Sequence, residues 1–414
     1  MPDRKLSILI HPKDNPFTIG SGYGIWGKYI SRGLKDAGWD VAVYAPVGTR
    51  YNILTFDGID VYPGVSEDFG ENLVERHLNK LRSETGKEPV LLQICDVWPL
   101  NIIPKLAREG KIRWIVTPAI DWYSPTPKYI LDKLASARVV VPWCDWAGSM
   151  LKEEGLNNIA PFIPLGVNTS IFKPINKEEY PNTMKSLGFE EDSFNIVIVA
   201  ANQYMRKPFY EWFIGIKMFI DEHPDVKVRL YVHSLTHTPG GYNLGELAKY
   251  CEIDKITRTS DDYAAICGEY TEEVMARIYG VADVVLMGGF EGFGLPIIES
   301  QACGTPVIAL NAGCSIELLK SGILVPPKGT FCPPNLTVKS LPHEKGIADA
   351  LDIIHNSPRS RWSKGVEWVR ERYDWRIIIK KWVELLEKFE EEMERRCEFG
   401  APEPQYEVKM GVIG

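Results

Sequence analysis

No stretch of the chain approaches the ~20 consecutive apolar residues that a membrane-spanning helix needs. The N-terminus, Met-Pro-Asp-Arg-Lys, leads straight into a strand pattern without an apolar leader. The eight cysteines (95, 144, 251, 267, 303, 314, 332 and 397) are scattered and include no C-x-x-C pair. Several fall in apolar strand or helix patterns, so they read as free, buried thiols of a reducing compartment, not as a disulfide framework. Together these absences point to a cytoplasmic protein. Basic residues are in deficit: 47 Lys and Arg against 55 Asp and Glu give a net charge of −8. Nucleic-acid binding needs clustered cations and is disfavoured. A local basic cleft for a phosphorylated substrate remains compatible with this balance, and peripheral membrane contact is left open. Histidine is scarce. His233 and His237 have a metal-like spacing, but they sit at a strand end running into Thr238-Pro-Gly-Gly241, with no acidic or Cys ligand at a sensible offset. No metal site is expected. There is also no short-period repeat and no low-complexity segment.

What is present is ordinary globular material, 45% hydrophobic and 25% charged over 414 residues. That length exceeds one core and predicts two domains. Strand and helix patterns alternate, which implies parallel sheets covered by helices. Strands are expected at Leu6–His11, Val41–Tyr44, Val90–Ile94, Arg113–Thr117 and Val139–Val141, with helices at Tyr23–Asp36 and Ser66–Arg82. The second half repeats the scheme with strands at Asn195–Ala200, Lys227–His233, Asp283–Met287, Thr305–Ala309 and Gly322–Val325, and a helix from about Lys207 to Asp221. Between the halves, Ile163-Pro-Leu-Gly-Val-Asn-Thr-Ser-Ile-Phe-Lys-Pro174 is rich in turn residues, and the boundary is placed near 175. A long charged helix ends at about Arg395, and 397–414 reads as a mobile tail.

The most informative stretch is Gly289-Phe-Glu-Gly-Phe-Gly-Leu-Pro-Ile-Ile-Glu-Ser-Gln-Ala-Cys-Gly304. An apolar strand pattern precedes it, Pro296 suits the first turn of a helix, and Leu295, Ile298 and Ala302 follow at helical spacing. The result is strand, glycine turn, helix, with open N–H groups and a positive dipole end at the turn, suited to phosphate and hydroxyls. Glu291 precedes the glycines and Glu299 lies about one turn inside the helix. Each carboxylate can accept two hydroxyls of a vicinal diol. A capping glutamate and a surface glutamate are the plainer alternative. Arg206-Lys207 follow the first strand of the second half. Arg clamps phosphate with two bonds and Lys adds a point charge, whereas a pair of surface cations at a helix start is the plainer reading.

Gly22-Tyr-Gly24-Ile-Trp-Gly27 matches the G-x-G-x-x-G dinucleotide fingerprint. About ten residues separate it from the strand, and the second strand ends Val43-Tyr-Ala-Pro46 without the carboxylate that holds a ribose. An NAD-dependent oxidoreductase is therefore a distant alternative. The glycines read as a loop whose N–H groups point into a cleft, or as close helix–strand packing.

The Glu291–Glu299 stretch resembles the E-x7-E signature of retaining glycosyltransferases of the GT-B fold, glycosyltransferase family 4 in particular. The segment 163–174 is similar to that family's interdomain crossing. The resemblance implies two facing Rossmann-like parallel-sheet domains, 1–175 and 176–370, with the helix at about 375–395 returning to the first domain and an interdomain cleft holding the ligand. It implies that Glu291 touches the donor sugar, Glu299 the nucleotide ribose, and the Gly292, Phe293, Gly294 and Leu295 amides the ring and diphosphate. Gly22 and Gly24 would approach the diphosphate, and Cys267-Gly268-Glu-Tyr270 would lie beside the base, near the loop 233–243. Family members usually present Arg, four residues, then Lys-Gly. Here Lys207-Pro208 aligns with Lys-Gly and Asn202 takes the arginine position, so Arg206 is the replacement cation. The family's histidine beside the donor sugar is also missing, and Asp121 is the candidate for its place, either orienting an acceptor hydroxyl or capping a turn. Asp96, Trp98 and Trp122 are candidates for the acceptor side.

The implied activity is transfer of a hexose, with retention, from a nucleotide-sugar donor to a hydroxyl acceptor on a glycan, lipid or small molecule. No cofactor and no metal are implied, and the chain has no Asp-x-Asp dyad of the metal-dependent class. Alternatives are a non-catalytic nucleotide-sugar-binding relative and a GT-B phosphorylase or epimerase. The base, the sugar, the acceptor and the oligomeric state are not legible.

Overall fold

The computed structural model describes residues 4–64, 67–203 and 206–399, with only the backbone described at 67–69 and 396–399. The chain divides into two compact units. One runs to Ile120, resumes over Ser124–Gly166 and takes in the helix that starts at Trp375; the other comprises Asp121–Tyr123 and Val167–Asp374.

The first unit is built on a seven-stranded sheet. Its strands are β1 (Leu6–His11), β2 (Asp40–Tyr44), β3 (Leu54–Phe56), β4 (Ile59–Tyr62), β5 (Glu88–Cys95), β6 (Trp114–Pro118) and β7 (Val139–Val140), in the order β3-β4-β2-β1-β5-β6-β7. All neighbours are parallel except β3 and β4. Parallel strands are covered on both faces, which is why β1 reads as a nearly unbroken apolar run and is buried throughout. The helix Gly22–Asp36 begins at Ser21, whose hydroxyl accepts from the Gly24 N–H and donates to Asp14. Against it lies the helix Trp375–Phe399: Tyr29 stacks on Trp375 at 4.7 Å, and Trp26 meets Trp382 edge-on at 5.8 Å.

The second unit holds a six-stranded, wholly parallel sheet: β8 (Phe194–Val199), β9 (Val228–His233), β10 (Thr257–Thr259), β11 (Val284–Met287), β12 (Val307–Leu310) and β13 (Gly322–Val325), in the order β10-β9-β8-β11-β12-β13. Its core gathers Ile196, Ile198, Phe209, Trp212, Phe213, Leu230, Val232 and Leu286 between sheet and helices. An antiparallel hairpin, β14 (Pro327–Phe331) and β15 (Lys339–Pro342), follows β13.

All ten expected strands are present, with ends moved by at most two residues. Five more form that the sequence pattern did not suggest: β3, β4, β10, β14 and β15. They are three to five residues long, and β14 is almost wholly exposed. Alternation of apolar and polar residues is therefore too short, or absent. The expected helix Ser66–Arg82 splits into a 3₁₀ segment, Glu67–Leu73, and an α-helix, Val74–Thr85, with Ser66 itself outside the described residues. Residues 397–399 continue the last helix instead of opening a tail, and 400–414 lie outside the described residues. Cys95, Cys251, Cys267, Cys303 and Cys332 are free thiols, two of them (Cys267 and Cys332) exposed. No described helix is long and apolar enough to cross a membrane.

Candidate active site

In an open α/β sheet, ligands gather where strand order reverses, beyond the carboxyl ends of the two strands that diverge there. In the second unit these strands are β8 and β11. The loop after β8 carries Arg206 and Lys207, and the turn after β11 carries Glu291, so the two charged motifs meet at the switch point.

Local sequence fixes the turn. Gly294 adopts φ +99° as the N-cap of the helix Leu295–Ala302, with Pro296 in its first turn. A Cβ on Gly289 would stand 2.6 Å from the Arg206 carbonyl oxygen and 2.9 Å from Glu291 Oε1. Glycine at 289 is thus what lets the cationic loop close over the turn. Gln301 anchors the helix from below: its Oε1 accepts from the Lys320 and Ser321 N–H groups, and its Nε2 donates to the Ile297 and Leu318 carbonyls. A buried amide with all four bonds made holds the element rigidly.

Five charged side chains then form one string. The Lys207 ammonium donates to Glu291 Oε1. The other oxygen of Glu291 lies 3.8 Å from Arg206 Nη2. Arg206 Nε approaches Asp121 Oδ2 at 3.5 Å, while its Nη1 donates to Gln203 at 2.7 Å. The remaining oxygen of Asp121 receives Lys339 Nζ at 2.6 Å, and the same ammonium donates to the Asp121 backbone carbonyl at 2.8 Å. Lys207, Glu291, Asp121 and Lys339 are each at most 7% exposed, so these are desolvated contacts. Burial pushes the Glu291 carboxyl up, but Lys207, Arg206 and Lys339 outweigh it and hold the group below the usual carboxylate range. Glu291 is an anion at neutral pH.

Glu299 has a different environment. It is buried, accepts from the Tyr279 hydroxyl at 2.8 Å, and has no cation among the causes that set its titration. Burial, reinforced by Glu272 and only partly opposed by Tyr279, raises its pKa to about 7. Two carboxylates on one short motif are thus set apart, one firmly ionised and one poised near neutrality.

Of the other expected residues, Gly292, Phe293 and Leu295 lie on the turn, with Phe293 buried edge-on to Tyr373. Phe290 packs edge-on against Tyr123 at 4.6 Å, tying the Asp121–Tyr123 segment to the turn. Asp121 does not cap a turn; it bridges two cations. Trp122 is only 1% exposed, so the expected ligand-facing ring has no open face. Trp98 is exposed and Asp96 half-buried, both in the first unit. Gly22 and Gly24 stand in the first turn of their helix. At Gly24 a Cβ would meet the Ile19 carbonyl oxygen at 2.4 Å, so packing alone requires glycine there. Gly268 is exposed, at φ +75° just past the helix Asp262–Ile266.

Asn202, at the position where an arginine was sought, is a brace. Its amide donates to the Leu235 and Tyr242 carbonyls and accepts from the Tyr242 N–H, holding the 235–242 loop. Sequence reasoning missed Lys339 and Tyr279. Tyr279 is one of the regularly spaced residues of an ordinary helix. Lys339 sits on a hairpin whose prolines and polar residues read as loop. Among the described residues, no group of three or more His, Cys, Asp or Glu is arranged to hold a metal.

Residues 207–332 match the family model for "Glycosyl transferases group 1". A D-inositol 3-phosphate glycosyltransferase of Pseudarthrobacter chlorophenolicus is 21% identical over 282 residues, covering 66% of this chain and 61% of that protein. The chain thus spans about three-fifths of that relative's length. Sucrose-phosphate synthase from Thermosynechococcus elongatus superimposes with a TM-score of 0.72 at 18% identity, covering 93% of this chain and 99% of that one. HepE of Anabaena, solved in complex with UDP and glucose, gives 0.67 at 14% identity over 92% of this chain and 99% of its own. At such identities the neighbours establish the fold, two Rossmann-like parallel-sheet domains of the GT-B class. The matched span contains Lys207, Glu291 and Glu299 in the geometry just described. The fold is thus that of the GT-B class, and the span 207–332, which carries the turn and its charged residues, is similar to glycosyl transferases of group 1.

Proposed function

We propose that the chain is a retaining glycosyltransferase of family 4 that moves a hexose from a nucleoside-diphosphate sugar to a hydroxyl acceptor without a metal ion. The observation that carries this reading is the meeting of Lys207, Arg206 and Glu291 over a glycine turn at a helix N-terminus. A leaving nucleoside diphosphate gains charge as the glycosidic bond breaks, and pre-placed cations and N–H groups lower that barrier. Lys207 and Arg206 hold the diphosphate, and the Gly292–Leu295 amides face its oxygens and the sugar. Glu291, ionised, accepts sugar hydroxyls and orients the ring. Glu299 accepts the ribose diol. The bond from the sugar carbon to the phosphate oxygen breaks while the acceptor oxygen attacks from the same face. The departing phosphate oxygen takes the acceptor proton, so no separate protein base is required. That HepE was solved with UDP and glucose supports the same class of donor here.

The test is thermal stabilisation by UDP-, GDP- and ADP-sugars and the free nucleotides, with NAD alongside, in EDTA. A shift with one nucleotide family is expected and identifies the base. No shift with any of them, or a shift with NAD alone, refutes the reading; a requirement for added divalent cation refutes its metal independence.

A further inference from the structure

The second unit carries a cavity of about 480 Å³ that the functional reading does not use. Pockets that take small organic ligands span roughly 300–1,000 Å³. This one opens beside the edge strand β10, between the helices Pro181–Leu187 and Glu272–Val281. Along β9, Val228, Leu230 and Val232 enter the core, so Tyr231 points to the opposite face of the sheet and lines the cavity. Leu187, Tyr231 and Ile278, each at most 5% exposed, give it an apolar floor. Arg277 is set in the same lining, half-buried and without an ion pair or hydrogen bond among the described residues. Asp261 lines the cavity too, yet its carboxylate accepts from the Ala264 N–H as the N-cap of the helix Asp262–Ile266 and does not reach Arg277. The Tyr270 oxygen accepts from the Asp261 N–H at 3.0 Å and from the Tyr231 hydroxyl at 3.5 Å. That leaves the hydrogen of Tyr270 with no acceptor among the described residues. A guanidinium drawn partly out of water without a partner is costly, and its fork of N–H groups matches a phosphate or a carboxylate.

We propose that this cavity is a second binding site, for a small organic anion: a phosphate or carboxylate carried on an aromatic or other apolar body. The anionic group sits against Arg277, and the Tyr270 hydroxyl supplies a further donor. The apolar body covers Leu187, Tyr231 and Ile278. Asp261 orients the ligand, because like charges repel and the anionic end turns away from it. None of Arg206, Lys207, Glu291 and Glu299 lines the cavity. The site and the nucleotide-sugar reading thus stand or fall separately.

Phenyl phosphate, phenylacetate and inorganic phosphate are titrated into the unmodified chain and into Arg277→Gln, Arg277→Lys and Ser186→Trp. Binding is read from the ligand NMR signals, and melting temperatures are recorded in parallel. At least one of the two organic anions is expected to bind at millimolar concentration, and the tighter one tells phosphate from carboxylate. Inorganic phosphate is expected to bind about tenfold more weakly, since it leaves the apolar floor uncovered. Arg277→Gln is expected to weaken the organic anion by about thirtyfold with no change in melting temperature, because the side chain has no partner to lose. Arg277→Lys keeps the charge without the fork and recovers part of the affinity. Ser186→Trp, on the exposed rim, blocks entry and leaves Arg277 in place. UDP, GDP and ADP are expected not to displace the organic anion. Binding that survives Arg277→Gln or Ser186→Trp overturns the proposal, and so does equal affinity for inorganic phosphate. Displacement by a nucleotide overturns it as well, since the anion then lies at the glycine turn. A lower melting temperature for Arg277→Gln, or no binding of either organic anion, does the same.

Discussion

Glu299 should make the protein less stable as pH rises through neutrality, and Glu299→Gln should abolish that slope. In the folded chain this carboxyl titrates at about 7, against an ordinary value of 4.5, chiefly because it is buried. Between those two values the folded state keeps a proton that the unfolded state has released, so stability falls with increasing pH. The penalty is absent below about 4.5 and complete above about 7. A displacement of that size corresponds to about 3 kcal/mol. At roughly 2–4 °C per kcal/mol for a unit of this length, the melting temperature should drop by on the order of 6–12 °C across the window. Glutamine has the same shape, does not ionise, and still accepts from the Tyr279 hydroxyl. Wild type and Glu299→Gln should therefore melt together near pH 5 and diverge by pH 8.5, with the variant higher. On the proposed reading, in which ribose hydroxyls donate to the ionised carboxylate, bound nucleotide should flatten the wild-type curve. A difference in melting temperature that stays constant from pH 5 to 9, or one of opposite sign, would refute the reasoning.

Lys207→Met leaves Glu291 buried with its nearest remaining cation, Arg206, at 3.8 Å, and should cost about 3 kcal/mol in chemical denaturation, near the low end for a broken buried pair. On the proposed reading, Glu291→Gln removes the charge that orients the sugar while leaving the nucleotide contacts in place. It should lower kcat by about 10²-fold with the nucleotide dissociation constant nearly unchanged, and a larger effect on nucleotide binding than on turnover would reverse the assigned role. Asn202→Ala strips the partners from the Leu235 and Tyr242 carbonyls and the Tyr242 N–H. It should cost about 2 kcal/mol and admit proteases to the 235–242 loop, seen as a new cleavage in limited digestion.

The sheets were legible because parallel strands buried on both faces announce themselves as unbroken apolar runs such as Phe194-Asn-Ile-Val-Ile-Val199. Exposed or three-residue strands carry no such signal, and β3, β10 and β14 were missed for that reason. The glycine turn was legible for a stronger one: Gly294 at φ +99° and Gly289 under the Arg206 carbonyl both sit where a side chain is excluded. The pairing of Glu291 with Lys207 follows from two motifs that each ended a strand. Asp121 was singled out only as a substitute for a missing histidine, and nothing local could show that its carboxylate spans two cations. Its partner Lys339 lies 218 residues away on a hairpin with no apolar period. Trp122 misled in the opposite direction, since an aromatic beside a charged residue reads the same whether its face is open or packed.

A string of buried ion pairs is a poor way to stabilise a domain. Desolvating each charge costs several kcal/mol, and well-packed apolar residues in the same volume often do as well or better. The switch point between β8 and β11 nonetheless carries five charged groups, four of them at most 7% exposed. Along the string the charges alternate, cation–anion–cation–anion–cation, with a lysine at each end. Every carboxylate in it is shared between two cations, which holds each cation at a fixed angle and keeps any one pair from closing off both partners. Such an arrangement spends little further energy on reorganisation when an anion arrives, because the guanidinium and ammonium groups are already oriented. Glu299, which takes no part in the string, is left near its midpoint of ionisation at neutral pH. The division of labour between the two glutamates of one motif is thus set by their neighbours, Lys207 and Arg206 in one case and Tyr279 in the other, and not by their spacing.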